Sequence, residues 1–230
     1  MGAASYSSAL DGAAQKSTGS ASPRWWMIIV AVCAIIVLLA LLWTMSQSPA
    51  LPGESSAEAG FARDMITHHA QAVRMALLVY ERGEHETLRT IALDMLLTQQ
   101  AQIGQMQGWL RVWGLPVSGV DLPMTWMGMP TAGLMPGMAS DEQLAALGEA
   151  NGDETDRLFI DLMIPHHIAG VHMAEAIVEQ AGVDAVRELA ASMIAVQQIE
   201  IAELERIRAE LPEAQPETET APAAEPSHNH

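Results

Sequence analysis

The segment FARDMITHHAQAVRMALLV, which starts at Phe61, returns 98 residues later as FIDLMIPHHIAGVHMAEAI from Phe159. The superposition needs no gap. Phe61 meets Phe159, Met65 meets Met163, Ile66 meets Ile164, and His68 and His69 meet His166 and His167. Val73, Met75 and Ala76 meet Val171, Met173 and Ala174. The match continues beyond a turn, with Arg89 on Arg187, Ala92 on Ala190, Met95 on Met193, and Gln99 and Gln100 on Gln197 and Gln198. A repeat of this length constrains the fold strongly, because two like units must bury like faces against each other.

Each repeat reads as a helical hairpin. In the first, a helix over about 57–82 is capped near Gly83 and followed by one over about 86–113, which WGLP ends. In the second, helices over about 154–180 and 184–211 are joined through Gly182 and stopped by Pro212. Short connections make each pair antiparallel, so residues 57–211 are expected to form an all-α, four-helix bundle. The composition agrees: 50% of residues are apolar but only 4% aromatic, which suits packed helices better than sheets. Ser140 and Gln143 form a capping-box pattern for one short extra helix.

Spacing of three and four on the first helix of each repeat defines a stripe. It runs Glu58, Phe61, Met65, His68, Ala72, Met75, Val79 and Asp156, Phe159, Met163, His166, Gly170, Met173, Ile177. Such a stripe faces a bundle interior, so His68 and His166 are expected there, with His69 and His167 at its flank. The partner helices carry matching stripes through Met95 and Gln99, and through Met193 and Gln197. Methionine at such positions is a common gap filler, and a lone core histidine is more often hydrogen-bonded than metal-bound. An adjacent histidine pair flanked by thioethers and present twice points instead to ligands. The set Met65, His68, His69, Met75 and Met95, with Met163, His166, His167, Met173 and Met193, is therefore the candidate metal site.

The connection 114–139 adds Met124, Met127, Met129, Met135 and Met138 in a Gly/Pro-rich segment. Two compatible readings stand: a peripheral cluster of soft ligands, whose removal would leave apo stability nearly unchanged, and a hydrophobic lid on the bundle. Thioether plus imidazole selects Cu(I), with Ag(I) chemically similar. Pro165, inside the third bundle helix, removes one backbone hydrogen bond just before the second histidine pair.

Residues 25–43, WWMIIVAVCAIIVLLALLW, are free of charge and bracketed by tryptophans, as expected of a single transmembrane anchor. A cleaved signal peptide is the rival, but its apolar region is usually shorter. Lys16 and Arg24 outweigh Asp11 ahead of the run, which places residues 1–24 in the cytoplasm and the rest outside it. Residues 44–56 read as a linker. Residues 212–230 read as a disordered acidic tail ending in His228-Asn229-His230.

The net charge of −17 argues against a nucleic-acid partner. The single cysteine, Cys33, excludes a disulfide and a Cys-rich metal site. None of the four expected helices carries the Glu-x-x-His of a di-iron oxidase, and no hydrolase elbow or zinc-protease motif occurs, so an enzyme is not expected.

Taken together, FARDMITHHAQAVRMA, FIDLMIPHHIAGVHMAEAI, QIGQMQGWLRVWG and MPGMASDEQLAAL resemble the bacterial domain-of-unknown-function family numbered 305, over about residues 57–210. The resemblance implies a ferritin-like four-helix bundle of the cell envelope. Some members of that family bind copper or silver and support copper tolerance, which implies ligand roles for the Met and His positions above. The expectation is a membrane-anchored, extracytoplasmic Cu(I)/Ag(I)-binding protein that sequesters the ion or hands it to a transfer partner. The alternative is a metal-free envelope interaction module, in which the histidines satisfy one another and Gln99 or Gln197.

Overall fold

The computed structural model describes residues 24–46 and 50–211. Most of the N-terminal segment, part of the linker, and the acidic tail with its terminal histidines lie outside these residues. Among the described residues there are six α-helices, one short 3-10 helix and no strand. The helices are α1 (Trp25–Ser46), α2 (Ala57–Arg82), α3 (Glu86–Val112), α4 (Asp141–Glu149), α5 (Asp153–Gln180) and α6 (Asp184–Glu210), with the 3-10 helix at Thr125–Met127. Helix α1 is long and apolar enough to cross a membrane over Trp25–Thr44.

The other five α-helices belong to a second compact unit. Within it, α2 pairs with α3 and α5 with α6, and the two hairpins meet chiefly along α2 and α5. The helix ends follow local chemistry. Ser56 caps α2 by accepting from the Ala59 N–H. Ser140 and Gln143 close a reciprocal capping box on α4. Helix α3 ends at Gly114, whose φ of +72° lets Leu115 N–H reach Leu110 O at 2.8 Å and Gly114 N–H reach Arg111 O at 3.1 Å. Gly83 caps α2 in an extended conformation. Helix α5 runs unbroken through Pro165.

The repeat symmetry continues into the contacts between hairpins. Glu58, at the start of α2, accepts the Gly182 N–H of the α5–α6 turn at 2.7 Å. Its counterpart Asp156, at the start of α5, accepts the Glu84 and His85 N–H groups of the α2–α3 turn at 3.0 and 2.8 Å. Each hairpin thus satisfies half-buried backbone donors at the turn of the other.

Two apolar clusters fill the bundle, one at each end. The first joins Phe61, Met65, Met106, Leu110, Met173, Ile177, Val186 and Met193 with loop residues Met124 and Met135. The second joins Met75, Val79, Leu88, Met95, Phe159, Met163, Leu204 and Ile207 with Leu144 and Leu147 of α4.

The methionine-rich connection is docked, which corrects the peripheral reading. Asp64, buried on α2, accepts both the Met124 N–H and the Trp126 indole N–H, each at 2.8 Å. Gln71 clamps Ala139 through both of its amide atoms, at 2.9 and 2.7 Å. Between these anchors Gly137 adopts φ +75°, and a Cβ there would stand 2.5 Å from Pro165 O on α5. Gly137→Ala is therefore expected to destabilise the protein by about 2 kcal/mol or more, because both the backbone conformation and the close approach fail. An unchanged melting temperature for that variant would show that the loop is not held there.

Candidate metal centre

The four histidines occupy the middle of the bundle, between the two apolar clusters, and none is more than 1% exposed. His68 on α2 and His166 on α5 lie face to face, with ring centroids 3.7 Å apart and planes tilted by 30°. Within each adjacent pair the centroids are further apart, at 6.5 Å for His68–His69 and 6.3 Å for His166–His167. His69 and His167, expected at the flank, are fully buried and turn toward the partner helices. His69 Nε2 pairs with Gln102 Oε1 of α3 at 2.8 Å, and His167 Nε2 with Glu200 Oε2 of α6 at 2.7 Å. Gln99 and Gln197, the expected partners, are buried but leave their side-chain oxygens unpaired. Gln197 instead lies on Gly170, where a Cβ would come within 2.5 Å of its oxygen.

Six imidazole nitrogens are thereby buried without a partner: both of His68, both of His166, and Nδ1 of His69 and of His167. An unsatisfied buried polar group costs about 1–3 kcal/mol, so a layer of six needs an explanation outside the protein's own hydrogen bonds. Burial, reinforced by the neighbouring imidazoles, holds His68 and His166 well below the usual histidine range, in His166 against the small raising effect of a contact with the His68 backbone that falls short of ordinary hydrogen-bond geometry. Burial likewise pushes His69 down to about 4, against the raising effect of its bond to Gln102. At neutral pH these three rings are uncharged, with lone pairs available to a cation.

The thioethers stand on both sides of this layer. Met65, Met173 and Met193 lie in the first cluster, together with Met106, Met124 and Met135. Met75, Met95 and Met163 lie in the second. Met127 and Met138 are half-buried against the first cluster, and Met129 is 55% exposed. Met124 and Met135 share a core with bundle thioethers, while Met129 faces solvent.

Among the described residues no group of three or more His, Cys, Asp and Glu side chains already surrounds a common metal position. The donor set in this layer is imidazole and thioether, which suits a soft or borderline ion and not one that needs carboxylates. The unpaired nitrogens are of the donor type such an ion takes.

Three residues escaped the sequence reading: Gln102, Glu200 and Asp64. Gln102 and Glu200 each stand 33 residues after their histidine, so the repeat register contained them. They differ in type, and a scan for identities passes over them. Asp64 signalled itself as an acid beside Met65 where the second repeat has Leu162. Burial holds its carboxyl above the usual range despite the bonds from Met124 and Trp126, which pull it down.

Residues 58–208 match the model of a family described as "Domain of unknown function (DUF305)". No curated protein matches the chain. Among solved structures, a DUF305 protein from Streptomyces coelicolor is 44% identical, with a TM-score of 0.66 over 69% of this chain and 95% of its own. A DUF305 fragment from Deinococcus radiodurans is 32% identical, with a TM-score of 0.59 over 70% of this chain and 100% of its own. CopM in the Cu(II)-bound form is 28% identical, with a TM-score of 0.56 over 66% of this chain and 96% of its own. CopM in the Cu(I)-bound form gives 27% and 0.51 over the same shares.

Proposed function

We propose, from the premise that this chain belongs to the DUF305 family, that it handles copper outside the cytoplasm, taking up Cu(I) as cargo in the histidine–methionine middle of its bundle. The observation that carries this reading is the layer of six unpaired imidazole nitrogens, flanked by thioethers. The likeness to CopM, solved in Cu(I)-, Cu(II)- and Ag-bound forms, supports it. Helix α1 serves as a single-pass membrane anchor with the N-terminus in the cytoplasm, which puts the bundle on the extracytoplasmic side. The chemistry is binding and transfer: neutral nitrogens and thioethers hold a soft ion without turning it over. Sequestration for tolerance and delivery to a partner use the same site. Ag(I) is the alternative ion.

The test is direct. The full chain, purified in detergent, is titrated with Cu(I) against a chromogenic chelator. Competition at micromolar protein is expected, and its absence would overturn the proposal. Saturating Ag(I) should also raise the melting temperature, because an ion at about 100 times its Kd stabilises the folded state by about 2.7 kcal/mol. The rival, a metal-free interaction module, draws on the protein partners that His69 and His167 do have. A chain that carries no metal after growth in copper-supplemented medium, and whose melting temperature ignores both ions, would favour that rival.

A further inference from the structure

The two halves of the histidine layer are alike in position and unlike in chemistry. His69 leans on the amide of Gln102, and His167 on the carboxylate of Glu200, at 2.8 and 2.7 Å. A carboxylate oxygen only accepts hydrogen bonds, so the proton in the second contact belongs to His167 Nε2. That leaves His167 Nδ1, buried and unpaired, as the nitrogen available to a cation. An amide offers both a carbonyl and an NH2, so Gln102 is able to pair with either tautomer of His69 and dictates neither. Glu200 also brings negative charge to within one imidazole of the layer, and its side chain is only 15% exposed, where solvent screens poorly. Gln102 brings none.

We propose that Glu200 is a positioning residue that presets His167 with its proton on Nε2 and its Nδ1 lone pair toward the bundle interior, so that the His167 half of the layer takes the first copper ion. This rests on the copper-handling function above and adds an order of filling to it. A carboxylate behind a ligating histidine fixes the ring and makes it a better donor, and its loss typically costs about 10–100-fold in metal affinity. The two repeats have thus diverged into a preset half and an adaptable half, which lets one ion be held tightly while a second is exchanged.

The proposal separates from a merely structural ion pair by tautomer. Long-range proton–nitrogen NMR of the metal-free full chain, labelled at histidine and held at mildly alkaline pH, should show His167 as a single Nε2–H tautomer. Glu200→Gln, which copies the first repeat, should let His167 populate both tautomers and weaken the first Cu(I) step by about 10–100-fold. Gln102→Glu should do the reverse, locking His69 as Nε2–H and strengthening a second step. That gain keeps the idea open to test should Glu200→Gln fold poorly. A wild-type His167 protonated on Nδ1 would overturn the proposal, as would a Glu200→Gln protein with unchanged tautomer and unchanged first-step affinity. If the wild-type chain bound no Cu(I), the function and the order of filling would both fall, while the metal-free spectra would still decide the tautomer.

Discussion

Replacing His68 and His166 together with leucine is expected to raise the melting temperature of the metal-free protein and to abolish its tight Cu(I) binding. Neither ring makes a hydrogen bond of ordinary geometry, the one polar contact being a weak one between His166 and the His68 backbone, so the apo fold carries four poorly satisfied buried nitrogens. Removing each ring relieves about 1–3 kcal/mol, and repacking two side chains returns part of that. A net gain of about 2–4 kcal/mol corresponds to an upward shift of about 5–10 °C for a domain of this size. The contrast with the other pair is the control. His69→Ala with His167→Ala empties two fully buried ring sites and leaves the half-buried Gln102 and Glu200 without their partners, so the apo protein should lose about 1–3 kcal/mol while copper binding also weakens. Differential melting with and without Cu(I) reads both effects. A leucine pair that melts lower than wild type, or that still binds Cu(I) with wild-type stoichiometry, would show that the stacked rings contribute to the fold and not to the metal. A stabilising loss of function is the usual mark of residues kept for what they bind.

Which of these features the sequence could show follows from how each is encoded. The helices and the interior position of His68 and His166 are written in a spacing of three and four, and the duplication writes it twice. Periodicity sets which face of a helix turns inward. It does not set which side chain of the next helix that face meets, because this depends on rotation and height within the bundle. Gln102 and Glu200 were therefore invisible as partners, and Gln99 and Gln197, on the apparent stripe, were the natural wrong choice. The loop was harder still. A Gly/Pro-rich segment has no period, so nothing in Met124 or Met135 alone says that they are buried. Their position is decided by Asp64 and Gln71 on α2 and by the close approach of Gly137 to Pro165. Asp64 was the readable clue, an acid where the second repeat keeps Leu162.

Mild acid should unfold the metal-free bundle, and the sign follows from the histidine layer. In the folded protein His69 holds its proton only near pH 4, whereas its ordinary value is 6.5. His68 and His166 are displaced the same way by the same burial. Between those limits the unfolded chain binds protons that the folded chain refuses, so stability falls as pH drops through 6.5. His69 alone accounts for about 3 kcal/mol by the bottom of this window, and the other two rings add to it. Asp64 works in the opposite direction, since its raised carboxyl takes up a proton in the folded state before the unfolded chain does. One carboxyl against three imidazoles leaves the sign unchanged. Urea melts across this range should therefore show a steep loss of stability in the wild type and a shallower one after His68→Leu with His166→Leu, which removes two of the three displaced groups. Saturating Cu(I) should move the transition to lower pH, because the ion and the protons compete for the same nitrogens. A wild-type stability that stays flat from neutral pH down to about 4 would mean that the imidazoles accept protons in the folded state and that the layer is not the dry, neutral donor set on which copper binding depends.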